Sequence, residues 1–578
     1  MHDFFKSPQT TAHKQYEALR AFFHEKMPAA EVARQFDYTL SAFYSLVRDF
    51  KKRFKENQAD SYFFAENKAG RKPREDHDQI KDLIINLRKK YLSVPDIKSI
   101  LDTQKHSRSE KQIYNILKGE GFARLPRRGS TQKDTKLENT LISAPKTILL
   151  PNQEEEVNTG NAGILCFLPL LKLYGIDTLI KSSNYPGTST LPALNSILAF
   201  VALKLSNVRR YTADDLWCMD RGLGLFAGLN VLPKAAWYSS YSHRVTREMN
   251  IDFLKSMNDL WKQKGFLSDT ANLDFVAVPY WGDDAHLENN WSRTRHQALP
   301  SILAAIAHDP DTGIMTYGDT GVRHENSSNV IIEFLDFYKQ SAGSDLKYLV
   351  FDSKFTVYEN LRKLDDNNVK FITIRRRGKK ILQEINAIDP KTWPLEKVET
   401  SNGKTRNLKV LEQTIFLKEY GKKELRQIAI MGNGKIKPAL IITNDFDLSR
   451  KEIIRKYAKR WLVEKNISEQ THFFHLNKIS SSMVIKVDFD LTMTILAHNL
   501  YRLFATNLIG YEHQTAQTLY EKFVCNDGII TTDSENVTVS LKKKRNLPAI
   551  LTSMAKILPK KIEWLNHRTL NIKTASYS

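Results

Sequence analysis

Apolar residues recur at helical spacing over most of the first half of the chain and at strand spacing in much of the second half. Tyr16–Glu25, Ala29–Phe36 and Leu40 to about Phe50 each gather them on one face. Pro28 opens the second segment, and the polar break Asp37-Tyr38-Thr39 precedes the third. Short helix, tight turn, second helix is the helix-turn-helix layout, although this turn has no glycine. A second set comes next along the chain. Gln79–Lys90 carries Ile80, Leu83, Ile84 and Leu87 on one face, and Val94–Leu101 is a short helix. Ser109–Gly119 has Ser109 as N-cap and Ile113, Ile116 and Leu117 inward. The pattern predicts tandem helix-turn-helix domains over 1–62 and 70–130, then a polar linker over 131–160. Residues 161–270 read as a helical domain built from Ile164–Leu173, Leu194–Leu205, Ala213–Leu225 and Ser239–Lys264, with no chemistry assigned.

From Asn272 the period changes. Leu273–Trp281 reads as a strand with Asp274 inside it, turned by Gly282-Asp283-Asp284. Ser301–Ala307 and Gly313–Tyr317 are the next strands, separated by the turn Asp309-Pro310-Asp311-Thr312-Gly313. Asn329–Lys339 is a helix, Leu346–Phe351 a strand ending in Asp352, Val357–Leu364 a helix and Phe371–Arg375 a strand. Meander, helix, strand, helix, strand is the RNase H-like order. Pro438–Thr443 is a further strand, and Ser449 with Glu452 three residues on signals the start of a helix reaching about Phe474. Between Arg376 and Pro438 lie about 60 residues with the strand-like run Leu408–Tyr420 and the hairpin signal Gly432-Asn433-Gly434. The expected fold is therefore multidomain. Its α/β RNase H-like core runs over 271–377 and 438–510 around a β-rich insertion at 378–437, with a C-terminal region at 511–578. Leu491–Phe504 is an apolar helix expected to pack on the sheet, and Ile529–Leu541 reads as two strands.

Charge adds a partner to this picture. The 578 residues include 86 Lys and Arg against 65 Asp and Glu, a net +21, and residues 1–136 alone hold +10. Such an excess points to a polyanion, and double-stranded DNA is the expected one. Arg71, Lys72 and Arg74 form a basic linker with Pro73, Arg108, Lys111 and Lys118 are expected to face phosphate, and Arg127 and Arg128 form a basic exit. Arg375–Arg377 and Lys542–Arg545 are further basic runs. Cys166, Cys218 and Cys525 are too far apart for a disulfide framework or a cysteine zinc site. The start of the chain has no signal layout and no apolar run spans a membrane, so a cytoplasmic, nucleoid-associated location is expected.

The candidate chemistry lies in the α/β region. Asp274 inside one strand and Asp352 at the end of another converge if those strands are neighbours, and a metal ion would offset their burial. Tyr457, Arg460 and Glu464 are spaced to share one helix face, either as an Arg460–Glu464 surface pair or with Glu464 as third ligand and Tyr457 and Arg460 holding a DNA strand. Asp283 and Asp284 are rival ligands but sit in the expected turn. His286, His296 and His308 are scattered and read as structural, and the pair His472 and His475 lacks a third ligand.

Leu273-Asp274-Phe275, Leu349–Lys354 and Tyr457–Glu464 together resemble the DDE transposases of bacterial insertion sequences, in the class with a β-rich insertion and a Tyr-x2-Arg-x3-Glu signature. The resemblance covers roughly 270–505. It implies metal-dependent cleavage and strand transfer of DNA by Asp274, Asp352 and Glu464 with two Mg²⁺ (or Mn²⁺) ions, on transposon ends paired by a homodimer. The class carries a Lys seven residues after the Glu. Here that position is Thr471, with Lys465 or Lys478 as the candidate substitute. The alternatives are an RNase H-like nuclease that cuts without strand transfer, and a transposase-derived DNA-binding regulator without chemistry.

Overall fold

The computed structural model describes residues 10–56, 63, 77–89, 92–103, 106, 108–122, 150, 154–209, 217–279, 287–292, 297–341, 346–399, 405–432, 438–476, 484–558 and 560–575. Two compact units divide the chain, Met1–Asp78 and Gln79–Ser578.

The first unit holds α1 (Thr11–Phe23), α2 (Ala29–Gln35) and α3 (Leu40–Lys55). Thr10 and Thr39 cap α1 and α3, accepting from the backbone of His13 and Ala42. Ala18, Leu19, Val32, Ala33, Phe36, Phe43 and Val47 close a small apolar core. In the turn that lacks glycine, Asp37 takes φ +53°, the left-handed conformation that Asp tolerates better than most residues.

Three more helices come next: α4 (His77–Lys89), α5 (Val94–Thr103) and α6 (Glu110–Gly119). Ser109 caps α6 in a reciprocal capping box with Gln112. The expected linker over 131–160 is corrected in part. Its residues Glu155–Thr159 form strand β1, paired antiparallel with a C-terminal strand. Residues 123–149 lie outside the described residues.

The helical region comprises α7 (Leu168–Tyr174), α8 (Ile176–Ser182), α9 (Ala193–Leu205), α10 (Arg221–Phe226), α11 (Ala235–Tyr241) and α12 (Arg247–Gln263). Two expected helices differ. The one expected from Ala213 starts at Arg221 behind the cap Asp220, and 210–216 lie outside the described residues. Ser239–Lys264 breaks at Val245, because Thr246 caps a new helix by accepting from the backbone of Met249.

Among the described residues the large sheet has ten strands. They are β2 (Thr270–Pro279), β3 (Asn289–Ser292), β4 (Gln297–His308), β5 (Met315–Val322), β6 (Tyr348–Phe351), β7 (Lys370–Ile374), β8 (Leu395–Glu399), β9 (Thr405–Phe416), β10 (Glu424–Met431) and β11 (Ala439–Thr443). The order is β3-β4-β2-β6-β7-β11-β10-β9-β8, with β5 also on β4. β5, β4 and β2 pair antiparallel, whereas β2, β6 and β7 pair parallel through α13 (Val330–Gln340) and α14 (Tyr358–Asp366). The expected insertion over 378–437 opens with α15 (Lys379–Asn386), and its strands continue the same sheet, because β10 pairs with β11 and β11 with β7.

The helix expected from Arg450 to Phe474 is two: α16 (Arg450–Lys459) and α17 (Trp461–His472), joined at Arg460. Ser449 and Glu452 form the expected capping box. The long apolar α18 (Val484–Asn507) lies against β5. Gly318 makes that approach possible, since a Cβ there would stand 2.6 Å from Ile495 Cδ1. The acids on α18 are buried and paired, with Lys204 2.7 Å from Asp490 and Asn250 and Thr320 donating to Asp488. After α19 (Ala516–Leu519), strands β12 (Gly528–Thr532) and β13 (Asn536–Leu541), helix α20 (Leu547–Met554), and strands β14 (Lys560–Ile562) and β15 (Arg568–Thr574) complete the chain. They build a five-stranded sheet with β1.

Candidate active site

The parallel register decides the site. Leu273 of β2 is opposite Phe351 of β6, so Asp274 and Asp352 come next, side by side on neighbouring strands. The residues around them hold both backbones. Phe275, next to Asp274, stacks on Phe355 with ring centroids 3.8 Å apart. Asp352 accepts the N–H of Ser353 at 2.7 Å and starts a short turn over Ser353–Phe355. Arg376 donates to the carbonyls of Ser353 and Lys354, so that part of the basic run 375–377 braces this turn. Arg375 and Arg377 likewise donate internally, to Gln427 and to the Pro438 carbonyl.

Asp274 is buried. Its Oδ1 accepts the Phe275 N–H at 2.8 Å, and its Oδ2 lies 2.9 Å from Arg460 Nη1. Both side chains of that ion pair are only 6% exposed. Arg460 also lies over the Tyr457 ring, 5.5 Å from its centroid. Tyr457 feels the charges of both Asp352 and Asp274, and burial pushes its hydroxyl up to about 12. The structure thus brings Asp274, Asp352, Tyr457 and Arg460 together. The guanidinium of Arg460, expected to hold a DNA strand, is turned inward onto Asp274. A buried carboxylate with no counter-charge is costly, and Arg460 is the cation within reach.

Glu464 belongs to α17, which packs on β2. Its side chain, like those of Lys465 and Lys478, lies outside the described residues. Thr471 donates its hydroxyl to the carbonyls of Ile467 and Ser468 within its own helix. Asp283, Asp284, His286 and His296 also lie outside the described residues. Among the described residues no group of three His, Cys, Asp or Glu is assembled. The donors that are placed are hard carboxylate oxygens, which suit Mg²⁺ or Mn²⁺.

Residues not singled out as functional hold the helix to the strand. Asn272, two positions before Asp274, sits 3.2 Å from the carbonyl of Lys459, the last residue of α16. The same amide nitrogen lies 3.1 Å from Nε2 of buried His308, and the other ring nitrogen lies 2.8 Å from the side-chain amide of Asn466 on α17. An amide that donates to a carbonyl must also donate to Nε2, so Nε2 accepts and Nδ1 carries the proton. The Asn466 amide then has to offer its oxygen to Nδ1. Burial pushes His308 down to about 3, so the ring is neutral. A lone histidine at the end of a strand gives no sequence signal of this bridge. In the same last turn of α16, Lys456 lies 4.1 Å above the Tyr348 ring and donates to Thr270.

The expected DNA-facing residues divide. Lys111 and Lys118 are exposed on α6. Arg108, just ahead of the cap Ser109, is 9% exposed. Arg71, Lys72, Arg74, Arg127 and Arg128 lie outside the described residues. His472 Nδ1 donates to the Ser468 carbonyl and His475 meets Asn207, so the two rings are not joined at a shared ligand.

Residues 283–500 match the family model of the transposase DDE domain. The match supports a DDE-type transposase. The matched DDE segment contains Asp352 and Glu464 and begins nine residues after Asp274, whose assignment rests on the register of β2 with β6. The cryo-EM structure of a piggyBac transposase synaptic complex with hairpin DNA is similar over 64% of this chain and 82% of that chain, at a TM-score of 0.35 and 11% identity. No curated protein matches the chain.

Proposed function

We propose that the chain is a DNA transposase that binds transposon ends through its N-terminal helices and cuts and joins DNA strands at Asp274, Asp352 and Glu464. The observation that carries this reading is the parallel pairing of β2 with β6, which sets Asp274 beside Asp352 inside a chain matching the DDE domain. The strand order supports an RNase H-like core: three antiparallel strands, then two parallel ones reached through helices. The N-terminal helix triplets support helix-turn-helix units, with α3 and α6 as the helices offered to the major groove.

In this reading Asp274 from within β2 and Asp352 at the end of β6 hold the metal, and Glu464 closes the site from α17. Two Mg²⁺ or Mn²⁺ ions, when bound, supply an activated oxygen nucleophile and stabilise the leaving oxygen. Tyr457 and Arg460 hold the scissile strand beside the carboxylates. The Asn272–His308–Asn466 bridge keeps the helix carrying Glu464 in register with the strand carrying Asp274. A homodimer pairs two ends, and the protein works on the nucleoid of a bacterial cytoplasm.

The test uses the purified full chain, DNA carrying the candidate ends, and Mg²⁺. Joined products support transposase. Cleavage without joining supports the nuclease instead. Binding alone, unchanged by Asp352→Asn, leaves a regulator. End affinity is expected to fall steeply with salt, as phosphate contacts require, and a flat dependence would count against the arm.

A further inference from the structure

We infer that Arg460 occupies the metal-binding oxygen of Asp274 until a DNA phosphate draws the guanidinium away, so that metal loading of the site is coupled to strand binding. This rests on the reading of Asp274 as a metal ligand.

Both carboxylate oxygens of Asp274 are in use. Oδ1 takes the Phe275 N–H and Oδ2 takes Arg460 Nη1. A cation arriving at Oδ2 meets a guanidinium 2.9 Å away, and both groups are buried where like charges are weakly screened. Metal and guanidinium therefore compete for one oxygen. The guanidinium has an alternative partner once DNA is present, because its planar fork matches a phosphate at least as well as a single carboxylate oxygen. Arg460 also stands where a side chain can be redirected. It is the joint between α16 and α17, where its N–H bonds to Tyr457 three residues back rather than to a carbonyl four back.

By linkage, whatever takes Arg460 from Asp274 tightens metal binding, and metal on Asp274 tightens strand binding in equal measure. Without DNA the ion pair keeps a buried carboxylate compensated and leaves the site poorly able to hold metal. With DNA in place, the carboxylate becomes available beside the strand to be cut.

The experiment measures Mn²⁺ affinity of the full chain by electron paramagnetic resonance of free Mn²⁺, with and without mixed-sequence duplex DNA, after subtracting Mn²⁺ held by the DNA alone. Wild type is expected to bind weakly without DNA and about tenfold more tightly with it, within the usual range of coupling between sites. Arg460→Gln is expected to bind tightly without DNA and to gain nothing when DNA is added. Its melting temperature is expected to rise more with Mn²⁺ than that of wild type, because metal replaces the missing counter-charge. Asp274→Asn is expected to lose the binding in every state. If Arg460→Gln binds Mn²⁺ no better than wild type while Asp274→Asn loses it, the coupling is overturned and the metal site stands. If Asp274→Asn leaves Mn²⁺ binding unchanged, the reading of the site itself fails. Should Arg460→Gln not fold, wild type alone decides, since no gain of Mn²⁺ affinity on adding DNA overturns the inference.

Discussion

In α1–α3 the buried residues are almost all apolar, and Arg48, Lys51, Lys52, Arg53 and Lys55 stand exposed along α3. Around β2 and α16 the arrangement is inverted. Asp274 and Arg460 are buried against each other, His308 is buried between two asparagines, and a half-buried Arg247 lies 2.6 Å from buried Asp319 on β5. Exposed charge is screened and adds little to stability, but it stays accessible to a polyanion. Buried charge contributes to a fixed geometry, and each partner is indispensable to the other. The first arrangement suits long-range attraction to DNA, and the second suits chemistry at one bond.

Four changes test that contrast, beginning with the largest effect. Asp352→Asn removes a half-buried donor while keeping its shape. DNA cleavage by the purified variant is expected to fall on the order of 10³-fold or more with the melting temperature nearly unchanged. A variant that still cleaves at a comparable rate would remove Asp352 from the chemistry.

Arg460→Ala leaves Asp274 buried without its cation. Urea unfolding is expected to show a loss of about 3–5 kcal/mol, and much of it should return in the double variant Asp274→Asn, Arg460→Ala. Equal losses in the single and double variants would mean the pair is not coupled. Truncating an exposed cation of α3, Lys52→Ala, is expected to leave stability within about 0.5 kcal/mol by the same measurement.

Acid should act on the sheet side. Burial pushes His308 down to about 3 and His498 to about 4, from an ordinary 6.5. Both rings are neutral when folded and take up protons near 6.5 once unfolded. Stability is therefore fully present above 6.5 and is lost as pH falls through this window. Each histidine contributes a slope approaching about 1.4 kcal/mol per pH unit. Replacing His308 with Gln should flatten the dependence of unfolding free energy on pH, and an unchanged slope would contradict its burial as a neutral ring.

The smallest effects belong to the helical units. Ser109→Ala removes the cap of α6 and is expected to cost about 1 kcal/mol by thermal melting. Lys111→Ala should weaken DNA binding about equally across sequences and lower the magnitude of its salt slope by about one, as a phosphate contact requires. A change confined to one sequence would make Lys111 a reader of bases instead.

The sequence by itself determined what depends on neighbours along the chain. Period and capping signals located α1–α6, the strands β2, β4 and β5, the helices between β5 and β7, and the start of α16, because a cap or an amphipathic face is written within a few residues. It also singled out Asp274, Asp352, Tyr457, Arg460 and Glu464 as candidates by type and order. Only the tertiary structure decided their relations. Residues 155–159 read as polar linker until a strand from beyond residue 520 gave them a hydrogen-bonding partner. The insertion read as separate until β10 found β11. The sequence did not show that Arg460 pairs with Asp274, and it left His308 a scattered histidine, because the acid that claims the one and the amides that grip the other lie at least 36 residues away in sequence. Burial sets the strength of those contacts, and burial is a property of the packed sheet and helices that no local window contains.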